Sequence, residues 1–228
     1  MKEELLARII GHLQFDGAVP KNRHARTLFY GNSNKDLIDE FVSDIMDVFG
    51  LRSSITLDDK LYRVYCYSTK IVRKLNEITN YHSYTWFVPD FILNGSEKIK
   101  IFYLQAFFDD EDYISATHKG YVYIVIRGVS VNLNGINSIK ILLDSLGIES
   151  NVRKFQSGKT SFSKTGFQYV LTITNFNNVS KFAKMIKLTS KKKQSRIDNF
   201  IKNHGQNVMR SESEIQKVLE MKKRRVWS

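Results

Sequence analysis

The run Ile9-Ile10-Gly11-His12-Leu13-Gln14-Phe15-Asp16-Gly17 is apolar at helical spacing as far as Phe15, then stops on an acid and a glycine. Read outward to Leu5, it is one amphipathic helix. Ala7 and Gly11, four apart, offer a small-residue face that lets a second helix approach closely. A helix C-terminus carries partial negative charge, so an acid placed there is unfavourable without a compensating cation. Ninety-five residues on, Ile101–Glu111 is a second apolar helix ending in acids, with Ala106 as its small residue.

The segments after each helix follow one order, which makes an internal repeat. In the first half an expected strand at Arg26–Asn32 precedes an amphipathic helix, Asn34–Phe49, stopped at Gly50. Two alternating segments follow, Leu51–Leu57 and Leu61–Tyr67, then a helix from Thr69 to about Thr79. In the second half the corresponding segments are Lys119–Gly128, Asn137–Leu146 with Gly147, Asn151–Phe155, Phe167–Thr174 and Asn178–Lys187. Gly50 and Gly147 are 97 residues apart, Asp16 and Glu111 95 apart. Two spacings that nearly agree point to duplication. The expected fold class is α+β, two pseudo-symmetric αββαββα repeats. Residues 1–88 form the first repeat, 89–100 a connector, 101–187 the second repeat and 188–228 a basic helical tail, read as one or two helices, Lys191–His204 and Glu212–Arg225, broken by Gly205.

The first run resembles the nine-residue motif of the LAGLIDADG homing endonucleases, with Gly11, Asp16 and Gly17 at its third, eighth and ninth positions. Leu104-Gln105-Ala106-Phe107-Phe108-Asp109-Asp110-Glu111-Asp112 is similar to a second copy. Val88-Pro89-Asp90-Phe91-Ile92-Leu93-Asn94-Gly95-Ser96 resembles the connector that precedes that copy in two-repeat members. The resemblance covers roughly residues 5–187. It implies a saddle-shaped monomer with the two motif helices at its centre. Asp16 and Glu111 would then be catalytic and hold magnesium or another divalent cation, with the carbonyls of Phe15 and Asp110 as further ligands. The implied activity is site-specific double-strand cleavage of DNA by metal-assisted hydrolysis. Gln14 departs from the acid common at the sixth position, and Asp112 from the closing glycine.

The resemblance further implies that the sheets lie in the major groove, and strand alternation then divides core from DNA face. Lys119, Tyr121, Tyr123 and Arg127 share one face of their strand; Arg63 and Tyr65 share one face of theirs; Arg52 lies opposite Ser53. Arg26, Arg153, Lys154, Lys159 and Lys164 add charge in strands or their loops. Arg suits guanine edges, and Lys and Tyr more often meet phosphate.

Composition agrees with a polyanionic partner. The 228 residues carry a formal charge of +12, of which +7 falls in residues 189–228 and +5 in the rest. With Cys66 as the only cysteine, no intrachain disulfide or cysteine-based zinc site can form. No apolar run approaches the ~20 residues that span a bilayer, and the N-terminus lacks the pattern of a signal peptide. The expectation is an intracellular protein, cytoplasmic or organellar, free-standing or intron-encoded. The start offers no Cys or Ser splicing nucleophile, and the chain ends in Val226-Trp227-Ser228. The alternative function is a non-cleaving nucleic-acid binder on the same scaffold, an intron-RNA maturase or a transcriptional regulator.

Overall fold

Asn34 and Gly50 bracket a helix by local chemistry alone. The Asn34 side chain accepts from the Asp36 amide, and Gly50 turns the chain with φ of 64°, a conformation open to glycine. Gly147 does the same after the matching helix, with φ of 69°. The computed structural model describes residues 2–22, 24–118, 122–156, 158 and 166–203; for residues 112, 113, 115–118, 122 and 123 it describes the backbone.

The first repeat runs α1 (Glu3–Phe15), β1 (Gly17–Ala18), β2 (Thr27–Asn32), α2 (Lys35–Phe49), β3 (Ser53–Asp58), β4 (Leu61–Tyr67) and α3 (Thr69–Ile78). A short helix, α4 (Asp90–Leu93), occupies the connector. The second repeat runs α5 (Glu97–Asp110), β5 (Asp112–His118), β6 (Val122–Ser130), α6 (Leu133–Ser145), β7 (Asn151–Gln156), β8 (Phe167–Ile173) and α7 (Phe176–Met185). An eighth helix, α8, spans 191–203. The sheets are antiparallel with equivalent orders, β1-β2-β4-β3 and β5-β6-β8-β7. The αββαββα order therefore holds in both halves.

Capping explains two starts that periodicity misplaces. Helix α5 begins four residues before Ile101, because the Ser96 hydroxyl accepts from the Ile99 amide. Helix α6 begins at Leu133, because Asn132 caps it by accepting from the Gly135 amide. Strand β6 starts at Val122 and continues to Ser130. The second tail helix expected at Glu212–Arg225 lies outside the described residues.

Helices α1 and α5 pack face to face at the centre. Ile9, Ile10 and Leu13 from one and Tyr103, Leu104 and Phe107 from the other are fully buried. Each sheet sends alternate side chains into the core: Leu28, Tyr30, Val64 and Cys66 from the first, Ile124, Ile126, Leu171 and Ile173 from the second. Among the described residues no helix is long and apolar enough to cross a membrane.

Candidate active site at the motif-helix ends

Asp16 and Glu111 are the C-cap residues of α1 and α5. Each backbone amide closes the last helical turn, Asp16 onto the His12 carbonyl at 3.1 Å and Glu111 onto that of Phe107 at 2.9 Å. Because the helices are packed together, the two carboxylates emerge at one end. Burial pushes the Asp16 carboxyl up to about 7, with the Asp110 charge adding to it. His12, Lys193 and a 3.0 Å hydrogen bond from Asn32 act the other way. Burial raises Glu111 to about 8, reinforced by the charges of Asp16 and Asp110 and opposed by Lys193. Two hard oxygen donors, both raised by burial and by the Asp110 charge, suit a divalent cation, which would stabilise their ionised forms. Among the described residues no group of three His, Cys, Asp or Glu is placed to hold a metal. Ligands beyond the pair would be backbone carbonyls, water or phosphate oxygens.

A charged network stands behind the pair. The Asp110 side chain is fully buried and accepts from Tyr30 Oη at 2.8 Å and from Asn32 Nδ2 at 3.3 Å; His12 Nδ1 lies 2.8 Å from its other oxygen. Burial alone would keep the His12 imidazole neutral. Asp110, with Glu40 at 3.6 Å, outweighs burial and raises it to about 10. The pairing with Asp110 therefore favours the imidazolium form. Arg8 forks onto Asp44 at 2.7 and 2.8 Å, bonds Glu40 at 2.5 Å and reaches Gln105 of α5 at 3.2 Å. Both cations face the helix contact, so the acids here are held in place with partial neutralisation.

The sixth motif positions have matching structural roles. Gln14 donates to Thr79 Oγ1 and to the Asn80 and Phe87 carbonyls, and accepts from Tyr103 Oη at 2.5 Å. Asp109 accepts from the Thr189 and Ser190 amides at 2.9 and 3.0 Å. Each therefore pins the segment that follows the last helix of a repeat. Burial raises Asp109 to about 6, against those two amide bonds.

Lys193 is a residue that motif reasoning missed. Its Nζ donates to the Phe108 and Asp109 carbonyls at 2.9 and 2.7 Å, on the last turn of α5. The Lys191-Lys192-Lys193 run was visible in the sequence, but nothing local says that it returns to the motif helices. A cleft of about 1030 Å³ includes Asp16, Asp110, Phe29 and Gly31 with Lys193 and Arg196.

The register divides the expected DNA-binding residues. Arg63 pairs with Gly31 and Thr56, and Tyr65 with Phe29 and Ser54, on the sheet face turned away from the helices. Arg63 also bonds Asp58 at 2.5 Å, and the Tyr65 and Phe29 rings lie 5.5 Å apart. Arg52 is exposed just ahead of β3. Arg127 lies opposite Thr172 and Arg153 opposite Val170, on the corresponding face of the second sheet. Lys154 differs: it pairs with Tyr169 on the opposite face, and its Nζ sits 4.0 Å over the Phe167 ring. Arg26 is exposed ahead of β2, in the register of buried Leu28 rather than of Phe29. Tyr123 lies in β6, described in its backbone; Lys119, Tyr121, Lys159 and Lys164 lie outside the described residues.

No family model matches the chain. A curated relative, "Uncharacterized protein MJ0314" of Methanocaldococcus jannaschii, is 28% identical over 153 residues, 65% of this chain. The match takes in 57% of that protein, little more than half its length. Among solved structures, mesophilic variants of the homing endonuclease I-DmoI superpose with TM-score 0.56 at 13% identity, covering 81% of this chain and 96% of theirs. I-DmoI in complex with DNA and Ca gives 0.54 at 15% identity, with 81% and 89% covered. Full-length DUF199/WhiA from Thermatoga maritima gives 0.59 at 12% identity, covering 96% of this chain and 69% of that one.

Proposed function

This chain has the LAGLIDADG fold, and from that premise we propose that it is a site-specific double-strand DNA endonuclease acting by divalent-metal-assisted hydrolysis. The observation that carries the reading is the meeting of Asp16 and Glu111 at the apposed ends of α1 and α5. These two carboxylates, with the carbonyls of Phe15 and Asp110, would hold magnesium or a related cation. A cation there supplies Lewis-acid stabilisation of charge developing on a phosphoryl oxygen.

The chain's own residues do the rest. Asn32 orients one oxygen of Asp16. His12, Tyr30 and Asn32 hold Asp110, and Lys193 holds the final turn of α5 beneath Glu111. The faces bearing Arg63, Tyr65, Arg127 and Arg153 would lie along DNA, joined by Arg52 and by Lys119, Tyr121, Tyr123, Lys159 and Lys164. I-DmoI has been crystallised with DNA and Mn as well as with DNA and Ca, which supports DNA as partner and a divalent cation as cofactor.

The non-cleaving alternative keeps the same cradle. It is favoured by Asp112, which stands where the motif closes on glycine, and by the +7 charge of residues 189–228, which would suit RNA. One experiment separates the two. A duplex site selected by binding from a randomised library is incubated with the protein and Mg2+ or Mn2+. The nuclease reading expects both strands of that site to be cut, with Asp16→Asn and Glu111→Gln still binding it but cutting neither strand. Tight binding by the wild type without cutting in either metal establishes the non-cleaving reading instead.

A further inference from the structure

We propose that α8, which follows the repeats, is a third element of the DNA-binding surface, with Lys192 and Arg196 receiving backbone phosphates beside the Asp16–Glu111 pair. The inference rests on the DNA-binding reading above, and extends it to a segment outside the two repeats.

Helix α8 is fixed to both halves of the molecule. Ile197 and Phe200 are buried in the common core. Asp109 holds the amides of Thr189 and Ser190, while the Thr189 hydroxyl donates to Glu40 of the first repeat at 2.8 Å. Charges on such a helix are presented at a set position, so a phosphate contact made there sacrifices little main-chain freedom.

The charges are unevenly committed. Residues 188–203 contain five Lys or Arg and one Asp. Lys191 lies 3.2 Å from Asp36, and Lys193 is occupied by the α5 carbonyls. Lys192 and Arg196 are exposed, and among the described residues neither forms an ion pair; one Arg196 nitrogen, Nη1, donates to the Ile114 carbonyl at 3.4 Å, which leaves the other guanidinium N–H groups to meet a phosphate. Both line the cleft that also contains Asp16 and, from the outward face of the first sheet, Phe29 and Gly31. Two cations uncommitted to the acids, on a rigid helix at the same opening, fit the phosphates flanking a bound scissile group.

The test measures binding of the full chain to a fluorescent 30-base-pair duplex by anisotropy across a salt series. Each phosphate neutralised contributes about 0.9 to the slope of log affinity against log salt. Lys192→Ser with Arg196→Ser is expected to lower the slope by about 1.8, weakening affinity by about one to two orders of magnitude near 0.15 M salt. Lys192→Arg with Arg196→Lys keeps the slope. Lys70→Ser with Arg73→Ser, removing two exposed cations from α3 on the helical side of the first sheet, also keeps it. Salt-sensitive wild-type binding with an unchanged slope in the Lys192/Arg196 double variant overturns the role of α8 and leaves the DNA reading standing. Absence of salt-sensitive duplex binding by the wild type overturns both.

Discussion

Gly11 of α1 lies so close to Ala106 of α5 that a methyl group on the glycine would fall 2.6 Å from the alanine Cβ. That distance is inside van der Waals contact, so the helix pair tolerates a side chain there only by moving apart. The separation of the helices sets the separation of Asp16 and Glu111, five residues further along each.

Gly11→Val is accordingly expected to destabilise the fold by about 1–3 kcal/mol, the usual range for overpacking a core. Urea unfolding reads it directly. Gly11→Ala should fall less far, and adding Ala106→Gly should recover part of the loss. A Gly11→Val protein as stable as the wild type would place the helices further apart than described.

The acid pair makes a pH prediction. Asp16 and Glu111 stand at about 7 and 8, against ordinary values of 3.8 and 4.5. A carboxyl whose value is raised on folding favours the folded state while protonated. Its contribution is complete below the unfolded value and is lost as pH rises through the folded one. Without divalent cation, stability should therefore fall between about pH 4 and pH 8. His12, also raised, adds to the fall at the alkaline end. The double variant Asp16→Asn, Glu111→Gln should gain on the wild type by on the order of 3 kcal/mol at pH 8.5. Thermal unfolding of both proteins across pH, with and without Mg2+, checks this; parallel curves would contradict it.

Gln14 and Asp109 are equivalent tethers, and breaking either should loosen the segment it holds. Gln14→Leu leaves the buried Tyr103 hydroxyl without its partner, at about 1–3 kcal/mol, while the Phe87 carbonyl keeps its bond from Thr79 Oγ1. Asp109→Leu releases the Thr189 and Ser190 amides. Hydrogen exchange should rise at those two amides in the second variant and stay unchanged there in the first.

Much of the architecture was legible because it is written in local signals. Gly50 and Gly147 mark equivalent stops, Leu61–Tyr67 alternates along its whole length, and the two acids follow apolar runs at a near-constant offset. The expected order includes β1 and β5 but places neither, because β1 has two residues and β5 follows the last acids of α5 without a break. The starts of α5 and α6 were recoverable from Ser96 and Asn132, whose capping outranks apolar spacing. Contacts between residues far apart in sequence had no such signal. His12 with Asp110 and Lys193 with the end of α5 depend on how the helices and the tail pack. Charge alone groups Lys154 with Arg153, whereas strand pleat sets them on opposite faces.

The most direct measurement of the central claim is calorimetric titration of Mn2+ into the DNA-free protein at pH 7.5. If Asp16 and Glu111 form one shared cation site, the wild type binds, and Asp16→Asn and Glu111→Gln each weaken binding at least tenfold. Equal Mn2+ binding by the wild type and both variants would contradict a shared site at the ends of α1 and α5.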